Sequence, residues 1–111
     1  MKFIKSYKIF ENDILIENGE EGNCFMNVVH YAIKECDIKN CSIIHGKVTS
    51  QGKTIDHAWI EEGDYAIDPT TGVKTLKSKY YSILNPVVDV VYKLPEALKL
   101  MRTFKNYGTW A

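Results

Sequence analysis

What this chain lacks narrows its possible functions before any motif is considered. It has no excess of either charge: 14 Lys plus Arg balance 14 Asp plus Glu, a formal net charge of zero with histidine neutral. Nucleic acids and anionic membrane surfaces select basic patches, so neither is an expected partner. No apolar run approaches the ~18–20 residues that span a bilayer. The opening stretch, MKFIKSYKIFENDILIENG, interleaves charges with apolar residues and lacks both the continuous apolar segment and the small-residue cleavage site of a secretory signal. Cysteine is scarce, and its three copies are an odd number without dense spacing, which argues against a disulfide framework. Reduced thiols and a cytoplasmic location are the expectation. Repeats, low-complexity stretches and linkers are absent too, so the 111 residues, 45% of them hydrophobic, read as one domain over 1–111 with a packed core.

The elements follow from spacing. Residues 3–16 mix apolar and polar positions, with Ile14-Leu15-Ile16 their most strand-like piece, and 17–23 read as a loop. From Cys24 to about Cys36 the apolar residues Phe25, Val28, Val29, Ala32, Ile33 and Cys36 recur at three and four, which predicts a helix. Asn23, a favoured N-cap type, stands just before it, so Cys24 falls in the first turn. A polar connection at 37–42 leads to three runs, 43–50, 53–61 and 64–70, divided by Gln51-Gly52 and Glu62-Gly63, the pattern of an antiparallel meander. YYSIL and VVDVVY, on either side of Asn85-Pro86, are further strand candidates, and a final helix is expected from Pro95 to about Gly108. The order predicts an α+β fold: an N-terminal helix carrying the cysteine, packed on an antiparallel sheet, with a C-terminal helix.

Hairpin arithmetic yields the candidate site. A two-residue turn at Glu62-Gly63 sets His57 opposite Asp68 and Trp59 opposite Ala66, and the Gln51-Gly52 turn sets Gly46 opposite His57. Ile44, Val48, Ile55, Trp59 and Ala66 then share a face with His57 and Asp68, and that face is expected to pack on the cysteine helix. A histidine and an aspartate facing a core are costly unless paired. A carboxylate on one ring nitrogen fixes the tautomer and leaves the other nitrogen to take a thiol proton. A helix N-terminus favours negative charge, and its unpaired N–H groups point where an oxyanion would form. Cys24, His57 and Asp68 thus read together as nucleophile, base and orienting residue, whereas each alone reads as structural: a small core thiol, a satisfied histidine, a turn aspartate before Pro69. Trp59 is either core or the floor of a substrate cleft, and Gly46 would leave room beside the imidazole. His30 is expected to be exposed, and His45 lies on the reverse face of the sheet from His57. Cys36, Cys41 and His45 lack a convincing fourth ligand, so no zinc site is expected.

GNCFMNV followed by DHAWIEEGDYAIDPT resembles the papain-like cysteine protease superfamily in its transglutaminase-like branch. There a cysteine opens a helix, a histidine opens a strand often reading H-A-W, and an aspartate ends the next strand, commonly as D-P-T. The matches are Cys24, His57-Ala58-Trp59 and Asp68-Pro69-Thr70, in that chain order, within roughly residues 18–71. The resemblance implies a papain/transglutaminase-like core and acyl transfer on an amide or related bond of a peptide or protein substrate, through an acyl-enzyme. That covers peptidase, deamidase and transglutaminase chemistry and implies no metal or organic cofactor. Papain-like proteases place an oxyanion-hole glutamine six residues before the cysteine; Asn18 holds that position here, and Asn23 is a nearer amide. The chain is shorter than most enzymes of the group. The rival reading is a catalytically inactive binding or inhibitor module of the same fold.

Overall fold

Two hairpins organise the sheet. The computed structural model describes residues 14–15, 23–108 and 110. Strands β2 (Cys41–Ser50) and β3 (Lys53–Glu62) pair along their whole length around Gln51 and Gly52. Both turn residues have positive φ, 54° and 77°, as a tight hairpin turn with two left-handed positions demands. The β3 strand then turns at Gly63-Asp64 into the short β4 (Tyr65–Asp68), which pairs on its other edge with β5 (Val73–Leu76). The outer positions are held by β1 (Ile14–Leu15) on β5 and by β6 (Val87–Lys93) on β2, giving an antiparallel six-stranded order β1-β5-β4-β3-β2-β6 among the described residues. The strand expected at 14–16 is present at 14–15, and β5 was not foreseen from the sequence.

Among the described residues three helices cover this sheet: α1 (Cys24–Glu35), α2 (Lys77–Leu84) and α3 (Leu94–Phe104). The α+β class and the antiparallel sheet therefore stand. YYSIL belongs to α2 rather than to a strand, because Tyr80 and Leu84, four apart, bury one helical stripe. Asn85 ends that helix in the left-handed region, with φ 46°. The C-terminal helix stops at Phe104, short of the expected Gly108, with Lys105 at φ 56° as its cap. No helix among the described residues is long and apolar enough to cross a membrane.

The sheet is buried on both faces. Val28, Val29 and Ala32 of α1, with Leu94 and Ala97 at the start of α3, pack on Ile43, Ala58, Ile60 and Ile67. The other face carries Ile44, Val48, Trp59, Ala66 and Val73 against Tyr80 and Leu84 of α2. This corrects one expectation: the face that bears His57 and Asp68 packs on α2, and α1 covers the reverse. The run His57-Ala58-Trp59-Ile60 is buried at every position, so β3 offers an apolar surface to both layers. Following the alternation on one side alone could not reveal which helix lay there.

Candidate active site

The pairing of His57 with Asp68 survives a change of register. Ile60 pairs with Ile67, Glu61 with Ala66 and Glu62 with Tyr65, so each partner lies two residues from the expected one and Asp68 lies level with Trp59. The cause is the turn. Gly63, at φ 59°, takes the first loop position, where a mirror-type turn needs glycine; the expected turn would have forced Glu62 there instead. A shift of two preserves the face, because side chains alternate with period two. Asp68 therefore sits diagonally from His57 on the same side of the sheet, and His57 Nε2 donates to Asp68 Oδ2 at 2.8 Å.

Asp68 is fully buried and occupies the last position of β4, where the chain turns through Pro69–Gly72 into β5. Its Oδ1 accepts the main-chain N–H groups of Thr70 at 3.2 Å and Thr71 at 3.3 Å, and its Oδ2 also accepts the Tyr80 hydroxyl at 2.7 Å. Burial alone would raise the carboxyl pKa, but His57, Tyr80 and the Thr71 N–H override it and hold the group below its usual range. Burial likewise pushes the imidazole down, and Asp68, reinforced by Cys24, reverses this and raises His57 to about 10. Tyr80 is held well above the ordinary phenol value by its burial and by the Asp68 charge, so it stays a donor.

Cys24 meets this pair from the opposite layer. It is the first residue of α1, partly buried, and lies near enough to His57 to help raise the pKa of the imidazole. The route is opened by the brevity of β4: pairing with β3 ends at Ile60, and the lower part of β3, including His57, has an edge that β4 leaves uncovered. The first turn of α1 stands at that edge. A latch holds it there, since Asn27, one turn beyond Cys24, donates from Nδ2 to Thr70 Oγ1 at 3.0 Å in a buried contact. The same strand end thus fixes both the carboxylate and the helix that carries the thiol.

No family model, no curated protein and no solved structure matches this chain.

The remaining predicted residues fall as follows. Asn18 lies outside the described residues. Asn23 is exposed at the N-cap position; its side chain makes no capping bond, while its carbonyl accepts the Asn27 N–H at 2.8 Å. Trp59 is wholly buried under Tyr80 and Tyr81, its Nε1 donating to Glu61 Oε2 at 3.1 Å, so it is core and lines no cleft. Gly46 does pair with His57, but it frees no space beside the imidazole: a side chain there would strike the Val87 carbonyl and the Trp59 ring. It instead helps line a surface groove of about 450 Å3 with Phe25, His45, Lys47, Asp56 and Asp89. His30 is exposed and pairs with the Tyr107 hydroxyl. His45 lies on the reverse face, as expected, but buried, ringed by Phe25, Tyr92 and Trp110, with neither ring nitrogen hydrogen-bonded. Among the described residues no group of three or more His, Cys, Asp or Glu could hold a metal ion.

Sequence reasoning missed Tyr80, Asn27 and the threonine N–H groups. The spacing of Tyr80 and Leu84 was the available signal for the first. Asn27, three residues beyond Cys24 on the same helical face, was the signal for the second.

Proposed function

We propose that this chain catalyses cysteine-dependent acyl transfer on an amide or related bond, with Cys24 as nucleophile, His57 as acid and base, and Asp68 as the residue that orients His57, on a core of papain/transglutaminase type. The observation that carries the reading is the buried imidazole hydrogen-bonded through Nε2 to a buried carboxylate and reached by a thiol at a helix N-terminus. With Nε2 given to Asp68, Nδ1 is the nitrogen for the thiol proton. An imidazolium beside sulfur favours negative charge there. The sulfur attacks the carbonyl carbon, and N–H groups of the first turn of α1 receive the developing oxyanion. His57 then protonates the leaving amine, and an acyl-enzyme on Cys24 remains. Water or a second amine releases it, giving hydrolysis or transamidation.

The buried, multiply bonded Asp68 supports catalysis over a merely structural pair, because it defines one tautomer and one ring orientation. Differential alkylation tests this. Iodoacetamide at pH 6 should modify Cys24 at least about tenfold faster than Cys36 or Cys41, and His57→Ala should abolish the difference. Intact mass after exposure to activated peptide esters should show one acyl group, lost in Cys24→Ala. Equal, slow alkylation of all three thiols would overturn the reading. Fast alkylation without acylation by any ester or amide would favour the binding module.

A further inference from the structure

The other two cysteines also meet. Cys36 is the C-cap of α1, in an extended conformation (φ −89°, ψ 148°), and Cys41 is the first residue of β2. Cys41 is 1% exposed, Cys36 is partly buried against the same apolar cluster, and Cys41 lies near enough to raise the Cys36 pKa. Their meeting is built into the loop between them. Asp37 accepts the Lys39 N–H at 3.1 Å and the Asn40 Nδ2 at 3.0 Å on its carboxylate, its carbonyl accepts the Asn40 N–H at 3.0 Å, and its own N–H donates to Glu62 Oε2 at 2.8 Å. The loop therefore returns the chain to the end of the helix before any bond joins the sulfurs, and little chain entropy remains to be lost on closure.

We propose that Cys36 and Cys41 form a dithiol site that low-molecular-weight disulfides convert into an intramolecular disulfide, stapling the C-terminal end of α1 to the start of β2. Cys36, the more exposed, attacks the small disulfide as its thiolate and displaces one small thiol. Cys41 then attacks the Cys36 sulfur of the mixed disulfide and displaces the second. Two S–H bonds are replaced by one S–S bond, the reagent is reduced by two electrons, and the two protons leave with the two small thiols. Cys41, with burial behind it, raises the Cys36 pKa. Oxidation is consequently slow at neutral pH and accelerates in alkali. The staple lies at the far end of the twelve-residue α1 from Cys24, about 18 Å away at the helical rise, so it governs the anchoring of the helix independently of the chemistry proposed for Cys24.

The test uses the full chain as wild type and as Cys24→Ser, treated with oxidised glutathione at mildly alkaline pH. In Cys24→Ser the expected product has lost two hydrogens, shows no free thiol after denaturation, yields a peptide joining Cys36 to Cys41, and melts several degrees higher until reductant is added. Stable glutathione adducts on Cys36 or Cys41, disulfide-linked dimers through them, or two unreacted thiols would each overturn the proposal. The wild-type peptide map reads the same link should Cys24→Ser fold poorly. None of these readouts depends on activity, so failure here leaves the acyl-transfer reading untouched.

Discussion

Four donors keep Asp68 ionised in a fully buried position: the imidazole, the Tyr80 hydroxyl and two main-chain N–H groups. Asp68→Asn preserves the shape and removes the charge. It should slow acylation of Cys24 by roughly 10²–10⁴-fold, and the His57 titration followed by NMR should fall well below about 10. Tyr80→Phe removes one donor from the same carboxylate and should cost about 1–2 kcal/mol in denaturant unfolding, with a smaller kinetic loss. His45 is the opposite case. Its ring is buried with both nitrogens unbonded, and burial pushes its pKa down to about 4. Replacing it with Phe removes an unsatisfied polar group from an aromatic cluster and should stabilise the fold by about 1–2 kcal/mol at neutral pH, read from the urea midpoint.

Among the elements, the latch between α1 and the β4–β5 turn is the contact that brings two layers to one point. Asn27→Ala leaves Thr70 Oγ1 without its donor; it should cost about 1–2 kcal/mol and slow Cys24 alkylation at the same time, because the helix tip loses its tether. Gly46→Ala tests the other side of the sheet, where β2 and β6 slip register between His45 and Gly46. A methyl there meets the Val87 carbonyl, so β6 must give way at a cost of about 1–3 kcal/mol. Much at this scale was legible in the sequence. Gln51-Gly52 fixed the β2–β3 register residue by residue, and the apolar spacing from Phe25 to Cys36 fixed α1. The pairing of His57 with Asp68 could be read because side-chain alternation tolerates an error of two, although the turn lies one residue later than Glu62-Gly63. The layer on each face was not legible, since a strand buried on both sides carries no mark of which helix covers which. Nor was α2: its tyrosines and isoleucine favour strands locally, and only packing of Tyr80 and Leu84 on Trp59 and its neighbours decides for a helix.

For the molecule as a whole, the ion pair and the lone imidazole shape stability against pH differently. Asp68 has a lowered native pKa, so its contribution is complete above its ordinary value near 3.8 and is lost as pH falls through the native one. His57 has a raised native pKa, so its contribution is complete below about 6.5 and is lost progressively as pH rises to about 10. These are two readings of one interaction and count once. His45 adds an acid penalty: its folded form refuses a proton that the unfolded chain accepts, and stability falls between pH 6.5 and about 4. Melting temperatures across pH should therefore form a dome; His45→Phe should flatten its acid side above pH 4, and Asp68→Asn its alkaline side.

The Asp68 carboxylate occupies the N–H groups of Thr70 and Thr71, within the turn that folds β4 back onto β5. The group that steadies the imidazole is in this way also the terminator of its own strand. Removing that acceptor leaves both N–H groups unpaired in the loop whose Thr70 hydroxyl tethers Asn27, and with it the helix that carries the thiol. A neutral residue at 68 that accepts nothing would therefore fail twice, once by loosening the ring and once by slackening the loop that holds the helix tip.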